Sequence, residues 1–170
     1  MDLRVKIKRL KDVELPKYAK SGDSGFDLVA AEDVVIKPGE TKVIPTGLAF
    51  EIPPGYEMQI RPRSGMSRKT KLRVALGTID SGYRGEVGVI VDNVSMVEYA
   101  SMPRFNAGIM AGDNDFSITK PVKYEVIEIS KGDRIAQAVI APVETAHFEE
   151  VDELSVSERG VGGFGSTGVK

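Results

Sequence analysis

The chain is written in short, β-branched segments with period-two alternation, each broken off within a few residues by Gly, Pro or Asp. Residues 5–10, 34–36, 42–44, 47–52, 57–61, 86–93, 124–129, 136–142 and 147–151 each read as a strand. Turn formers stand between them: Pro38-Gly39, Pro53-Pro54-Gly55, Asp80-Ser81-Gly82 and Lys131-Gly132-Asp133. Short strands at regular spacing must close on one another to bury their apolar faces. The pattern therefore predicts an all-β barrel or sandwich. One helix is expected, over residues 64–71 with Ser64 as its N-cap, and it is too short to organise a fold.

Composition narrows the chemistry. A chain of 170 residues fits one domain with a substantial core. It has no cysteine, which excludes disulfides, thiolate catalysis and zinc–thiolate sites. His147 is its single histidine, so a His-rich metal site is excluded too; the surroundings of His147 suggest a structural or surface role. The net charge of −2, with both signs mixed, gives no overall attraction to nucleic acid or an anionic membrane. A bound anion must be held by local cations. No apolar run approaches the roughly 18 residues of a membrane span. Residues 1–6 alternate charge with apolar side chains and lack a signal-peptide core. The expected location is the cytoplasm.

Two stretches depart from the strand pattern. Residues 95–118 carry three Met without clear periodicity and read as an excursion from the barrel domain, taken as residues 1–156. It is either a tolerated surface loop or a protein-binding surface, with Met96, Met102, Phe105, Ile109, Met110 and Phe116 as adaptable apolar contacts. Residues 157–170 hold five glycines and form neither strand nor helix alone. They are either a flexible terminus or an arm that folds over a nucleotide, since glycine lets backbone N–H groups approach phosphate closely.

Four clusters carry candidate chemistry. In Arg61-Pro62-Arg63-Ser64-Gly65-Met66-Ser67, guanidinium groups, a hydroxyl and helix N–H groups converge in a set that suits phosphate; a solvated strand end with a capping serine fits equally. In residues 77–86, Asp80 is a turn former or an acceptor that orients and deprotonates water. Tyr83 there packs on a sugar or anchors the turn. Gln137, in Gly132-Asp133-Arg134-Ile135-Ala136-Gln137, could bond phosphate, and Arg134 could form a structural ion pair. Asp27, in Ser24-Gly25-Phe26-Asp27-Leu28, lies between apolar neighbours and needs partners, a turn or a hydrated metal ion.

Together with Arg159-Gly160-Val161-Gly162-Gly163-Phe164-Gly165-Ser166-Thr167-Gly168, these clusters resemble, in order, the five motifs of the trimeric dUTPase family. The resemblance covers nearly the whole chain. It implies a jelly-roll-like distorted β-barrel and hydrolysis of dUTP to dUMP and pyrophosphate with Mg²⁺. It also implies a homotrimer whose sites lie between subunits, each completed by a neighbour's tail arm. Asp80 would activate water. Tyr83 would lie under the deoxyribose and leave no room for a 2′-hydroxyl. Gly77 and the main chain of residues 86–88 would read uracil. Arg63, Ser64, Gly65 and Gln137 would hold phosphates, and Asp27 would hold Mg²⁺ through water. Phe164 would cap the uracil. Arg159, Ser166 and Thr167 would grip the distal phosphates, with Gly165 among the substrate contacts.

Two features depart from the family pattern. Val74 stands where some relatives have Asn, which shifts uracil recognition towards main-chain groups. Residues 95–118 exceed the short connection of most members; some phage-encoded relatives carry extra segments there. Two rival readings follow. The related dCTP deaminases resemble H-V-T-A-G-x-I-D followed by a catalytic Glu, but here residues 73–80 read RVALGTID and Ile90 falls at the Glu position. A nucleotide-binding regulatory module acting through residues 95–118 is the other.

Overall fold

The computed structural model describes residues 3–95 and 125–162. Eleven strands and one short helix are found among them: β1 (Lys6–Arg9), β2 (Phe26–Val29), β3 (Val34–Ile36), β4 (Thr41–Pro45), β5 (Leu48–Glu51), β6 (Tyr56–Arg61), α1 (Ser64–Lys69), β7 (Leu72–Val74), β8 (Gly77–Ile79), β9 (Gly88–Asn93), β10 (Ile127–Ile129) and β11 (Arg134–Pro142). All pairings are antiparallel, in the orders β2-β11-β6-β8, β4-β9-β7, β1-β5 and β3-β10. The expected all-β, jelly-roll-like distorted barrel is the observed one. No helix among the described residues is long and apolar enough to cross a membrane.

Alternation sets which side chains meet inside. In β9, Val89, Val91 and Asn93 point inward while Ile90 points out. Leu28, Ile36, Ile44, Leu48, Ile52, Met58, Leu72, Val87 and Ile135 are the other large side chains buried fully. Each such side chain contributes about 1.5–3 kcal/mol by leaving water. Asn93 is the largest buried polar residue, beside Thr46 and Ser95, and it is satisfied: its Nδ2 donates to Ile36 O (3.0 Å) and Glu125 O (2.9 Å), and its Oδ1 accepts from Ser95 N–H (3.0 Å).

Several local expectations change. Residues 147–151 form no strand; Phe148 is 98% exposed, and no other strand among the described residues offers that segment a ladder. The acidic run 149–153 is solvated, but as irregular chain. Ser64 is not the N-cap. Arg63 takes that place with extended backbone and no side-chain cap, so Ser64 is the first helical residue. Strands β2, β7 and β8 were not expected. Each is three or four residues long, too short for period two to register.

Candidate functional site

Strand β6 carries the site residues at its two ends. It pairs with β8 so that Met58 faces Ile79 and Ile60 faces Gly77. Its other edge pairs with β11, where Gln137 faces Arg61. The chain leaves β8 into the Asp80 turn beside the start of β6, and leaves the end of β6 towards Arg63.

At the first end lies a cleft of about 590 Å³, lined by Asp80, Tyr83, Glu86 and Gly88 along the hairpin, with Val43 and Ile90 opposite. The turn is closed locally: Tyr83 N–H donates to Asp80 O (3.0 Å), and the Tyr83 hydroxyl donates to Glu86 O (3.0 Å). The Tyr83 ring lies against Gly85. A Cβ on Gly85 would come within 2.6 Å of the ring's Cζ, so no larger residue fits under that ring pose. Asp80 is exposed, and no ion pair among the described residues engages it.

At the second end, charges from three elements converge. Asp27 on β2 faces Gln137 on β11. The Asp27 carboxylate takes Arg63 Nε at 2.7 Å and Arg134 Nη1 at 3.4 Å. Arg63 Nη1 also donates to Arg134 O (3.1 Å), and Gln137 Nε2 donates to Pro62 O (2.9 Å). Arg134 thus forms the ion pair its sequence position suggested, and Asp27 finds its partners in two guanidinium groups. A polar cavity of about 240 Å³ opens here, lined by Lys17, Asp23, Ser24, Gly25, Asp27 and Gln137. Gly25 is required, because a Cβ there would stand 2.8 Å from Ala138 O. Ser64 and Gly65 open the helix nearby, both exposed.

The two ends are not one pocket. From Met58 to Arg63 the chain runs roughly 17 Å at strand rise, and among the described residues the cleft at Asp80 and the cavity at Asp27 share no lining residue. Gly77 sits between them, packed on Ile60. Arg159 lies in an exposed turn, its Nε donating to Gly162 O (2.9 Å). Phe164, Gly165, Ser166 and Thr167 fall outside the described residues, as does the segment 95–118 beyond Ser95.

Sequence reasoning passed over the side chains of Glu86 and Glu32, which line the cleft, and Lys17 and Asp23, which line the cavity. Glu86 stood inside a motif with only main-chain significance. The other three lie in no motif, and only the fold brings them to the site.

A model of the dUTPase family matches residues 11–104 and 111–168. The chain belongs to the dUTPase family. The deoxyuridine 5′-triphosphate nucleotidohydrolase of Nautilia profundicola is 48% identical over 169 residues, covering 98% of this chain and 99% of its own. The dUTPase of Staphylococcus bacteriophage 80alpha, solved with dUpNHpp, superposes with a TM-score of 0.79 at 35% identity, covering 98% of this chain and 99% of that one. A variant dUTPase from phage phi11 of S. aureus, in which a structural Mg(II) ion is coordinated, gives a TM-score of 0.71 at 32% identity over 88% of this chain and 97% of its own. Within the dUTPase frame, Val74 is buried on β7 and Ile90 puts hydrocarbon in the cleft where a deaminase would need a carboxylate.

Proposed function

We propose that this dUTP diphosphatase works by attack of an Asp80-held water on the α-phosphorus of dUTP, giving dUMP and pyrophosphate. The observation that carries this reading is the pairing of Asp80 and Tyr83 in one cleft, with the acid exposed and unengaged by any ion pair among the described residues. Water is a poor nucleophile until it is fixed and its proton has an acceptor. The Asp80 carboxylate accepts that proton as the new O–P bond forms. The bond between the α-phosphorus and its bridging oxygen breaks, and the electron pair leaves with pyrophosphate. Tyr83, with the hydroxyl end of its ring against Gly85, is the floor for deoxyribose. Gly77 and the main chain of residues 86–88 read uracil.

Arg63, Ser64, Gly65 and Gln137 hold the phosphates. Asp27 orients Arg63 through Nε, Arg134 O holds Nη1, and Nη2 is left for phosphate oxygens. The donor set also fits Mg²⁺. Asp27 and Asp23 line the same polar cavity, and no cluster of three or more acidic or His side chains exists among the described residues. That suits an ion that keeps its waters and takes its direct ligands from the triphosphate. Asp27 would hold it through water, and it would supply charge neutralisation on the departing pyrophosphate.

The separation of Asp80 from Arg63 supports a homotrimer in which a neighbouring subunit supplies the phosphate corner to each hairpin cleft. Exposed Val43, Ile90 and Leu76 near that cleft offer apolar surface for the contact. Phe148, Leu154, Val156 and Val161 are almost bare on their own barrel, which favours a tail, residues 157–170, that reaches another copy. There Arg159, Phe164, Gly165, Ser166 and Thr167 would close over the nucleotide. The protein acts in the cytoplasm on free nucleotide, and residues 95–118 remain available to a protein partner.

The test is pyrophosphate release with Mg²⁺ from dUTP, dCTP, dTTP and UTP. Turnover of dUTP alone is expected. Binding of dUTP without turnover would favour the regulatory module, and ammonia from dCTP would favour the deaminase.

A further inference from the structure

The Glu86 side chain has no place in the reaction as described, yet both ends of the residue are committed. Its side-chain Oε1 accepts the Gly47 N–H at 2.8 Å, and its main-chain oxygen accepts the Tyr83 hydroxyl at 3.0 Å. Gly47 is itself immobile. It has a positive φ of 70°, its carbonyl accepts Leu10 N–H at 2.8 Å, and a Cβ there would press on Lys11 and Val13 at 3.0–3.1 Å. The neighbouring residues fasten the same joint. Thr46 donates through N–H and Oγ1 to Val87 O, and Val87 N–H donates to Leu48 O. Lys11, paired with Glu32 at 2.7 Å, stands close enough to Glu86 for its charge to feel that carboxylate.

We propose that Glu86 is the positioning residue for Tyr83, and through it a determinant of the discrimination between deoxyribonucleotides and ribonucleotides. The carboxylate pins residue 86 to the β4–β5 turn, 39 residues away in the chain. The pinned carbonyl then fixes the phenol, and the phenol fixes the ring over Gly85. A ring held at both its face and its hydroxyl cannot yield to a 2′-hydroxyl. A ring held only at its face swings aside.

This rests on Tyr83 being the floor of the sugar site, so the experiment carries its own control for that reading. The quantity to measure is the ratio of kcat/KM for dUTP to that for UTP, with a melting curve for each variant. Glu86→Asp keeps the charge but withdraws the carboxylate by one methylene; Glu86→Gln keeps the reach and an acceptor oxygen but loses the charge. Glu86→Asp and Glu86→Ala are expected to lower the ratio by about tenfold or more, the order expected when one hydrogen bond to a charged group is lost. Glu86→Gln should restore most of it. Selectivity kept by Glu86→Asp and lost by Glu86→Gln would overturn the proposal, because charge and not reach would then matter. An equal loss of kcat/KM on both nucleotides in all three variants would overturn it too, as a merely structural effect. Tyr83→Ala separates the two claims: if it leaves the ratio unchanged, the sugar-floor reading fails, whatever Glu86 does.

Discussion

The two ends of β6 hold their functional groups in opposite ways. At the hairpin, the contacts that shape the cleft are local: Tyr83 bonds Asp80 and Glu86, each three residues away. At the phosphate corner they are distant: Asp27 meets Arg63 and Arg134, and Arg63 meets the carbonyl of Arg134, 71 residues on. A local cluster forms once its turn forms. A distant one exists only after β2, β6 and β11 have paired. The hairpin turn is thus closed locally and then anchored by one distant contact, Gly47 N–H to the Glu86 carboxylate, whereas the corner is wholly a product of the completed barrel.

The largest effect that could break this contrast comes from mixing subunits. Asp80→Asn should lower turnover by about 10²–10⁴ with little change in melting temperature, because the Asp80 side chain makes no ion pair with the described barrel. Arg63→Ala should also be inactive. If hairpin and corner come from different chains, co-refolding the two inactive proteins restores activity in about a quarter of the sites, by random assortment in a symmetric oligomer. Absence of recovery would place both ends in one chain's site. A smaller effect is expected from Asp27→Asn, which leaves Arg63 and Arg134 unpaired. KM for dUTP should rise about tenfold while kcat falls less, and a double-mutant cycle with Arg63→Ala should show coupling of about 0.5–3 kcal/mol. Additive losses would mean that Asp27 does not orient Arg63. Smallest in activity, and visible mainly in a melt, is Gly25→Ala. Its Cβ would face the backbone oxygen of Ala138, so it should cost about 1–3 kcal/mol. The matching change at the hairpin, Gly85→Ala, meets a side chain and not backbone, so it should cost less in the melt, at the expense of the Tyr83 hydroxyl bond to Glu86 O.

The same contrast explains what could be read in the sequence. The all-β class was legible because strands such as β6 and β9 are long enough for period two to show. Asp80 and Tyr83 were legible because their relation lies within four residues. The pairing of Asp27 with Arg63 was not, since nothing in residues 24–28 announces which of 23 Lys and Arg side chains will face it. Lys17, Asp23 and Glu32 were missed for the same reason. The expectation of a strand at 147–151 failed because alternation records only what a segment could bury, and Phe148 buries nothing against its own barrel.

The amide of Asn93 has a consequence for how chains of this kind can change. One buried side chain receives Ser95 N–H and reaches Glu125 O, so the chain on either side of residues 96–124 is held by a single amide. Whatever is threaded between those two residues is closed by a clasp that the barrel already owns. The penalty for a longer thread grows only with the logarithm of its length, about 0.6 kcal/mol per doubling. Gly88 lies at the other end of the same strand, so β9 carries the clasp at one end and a wall of the cleft at the other.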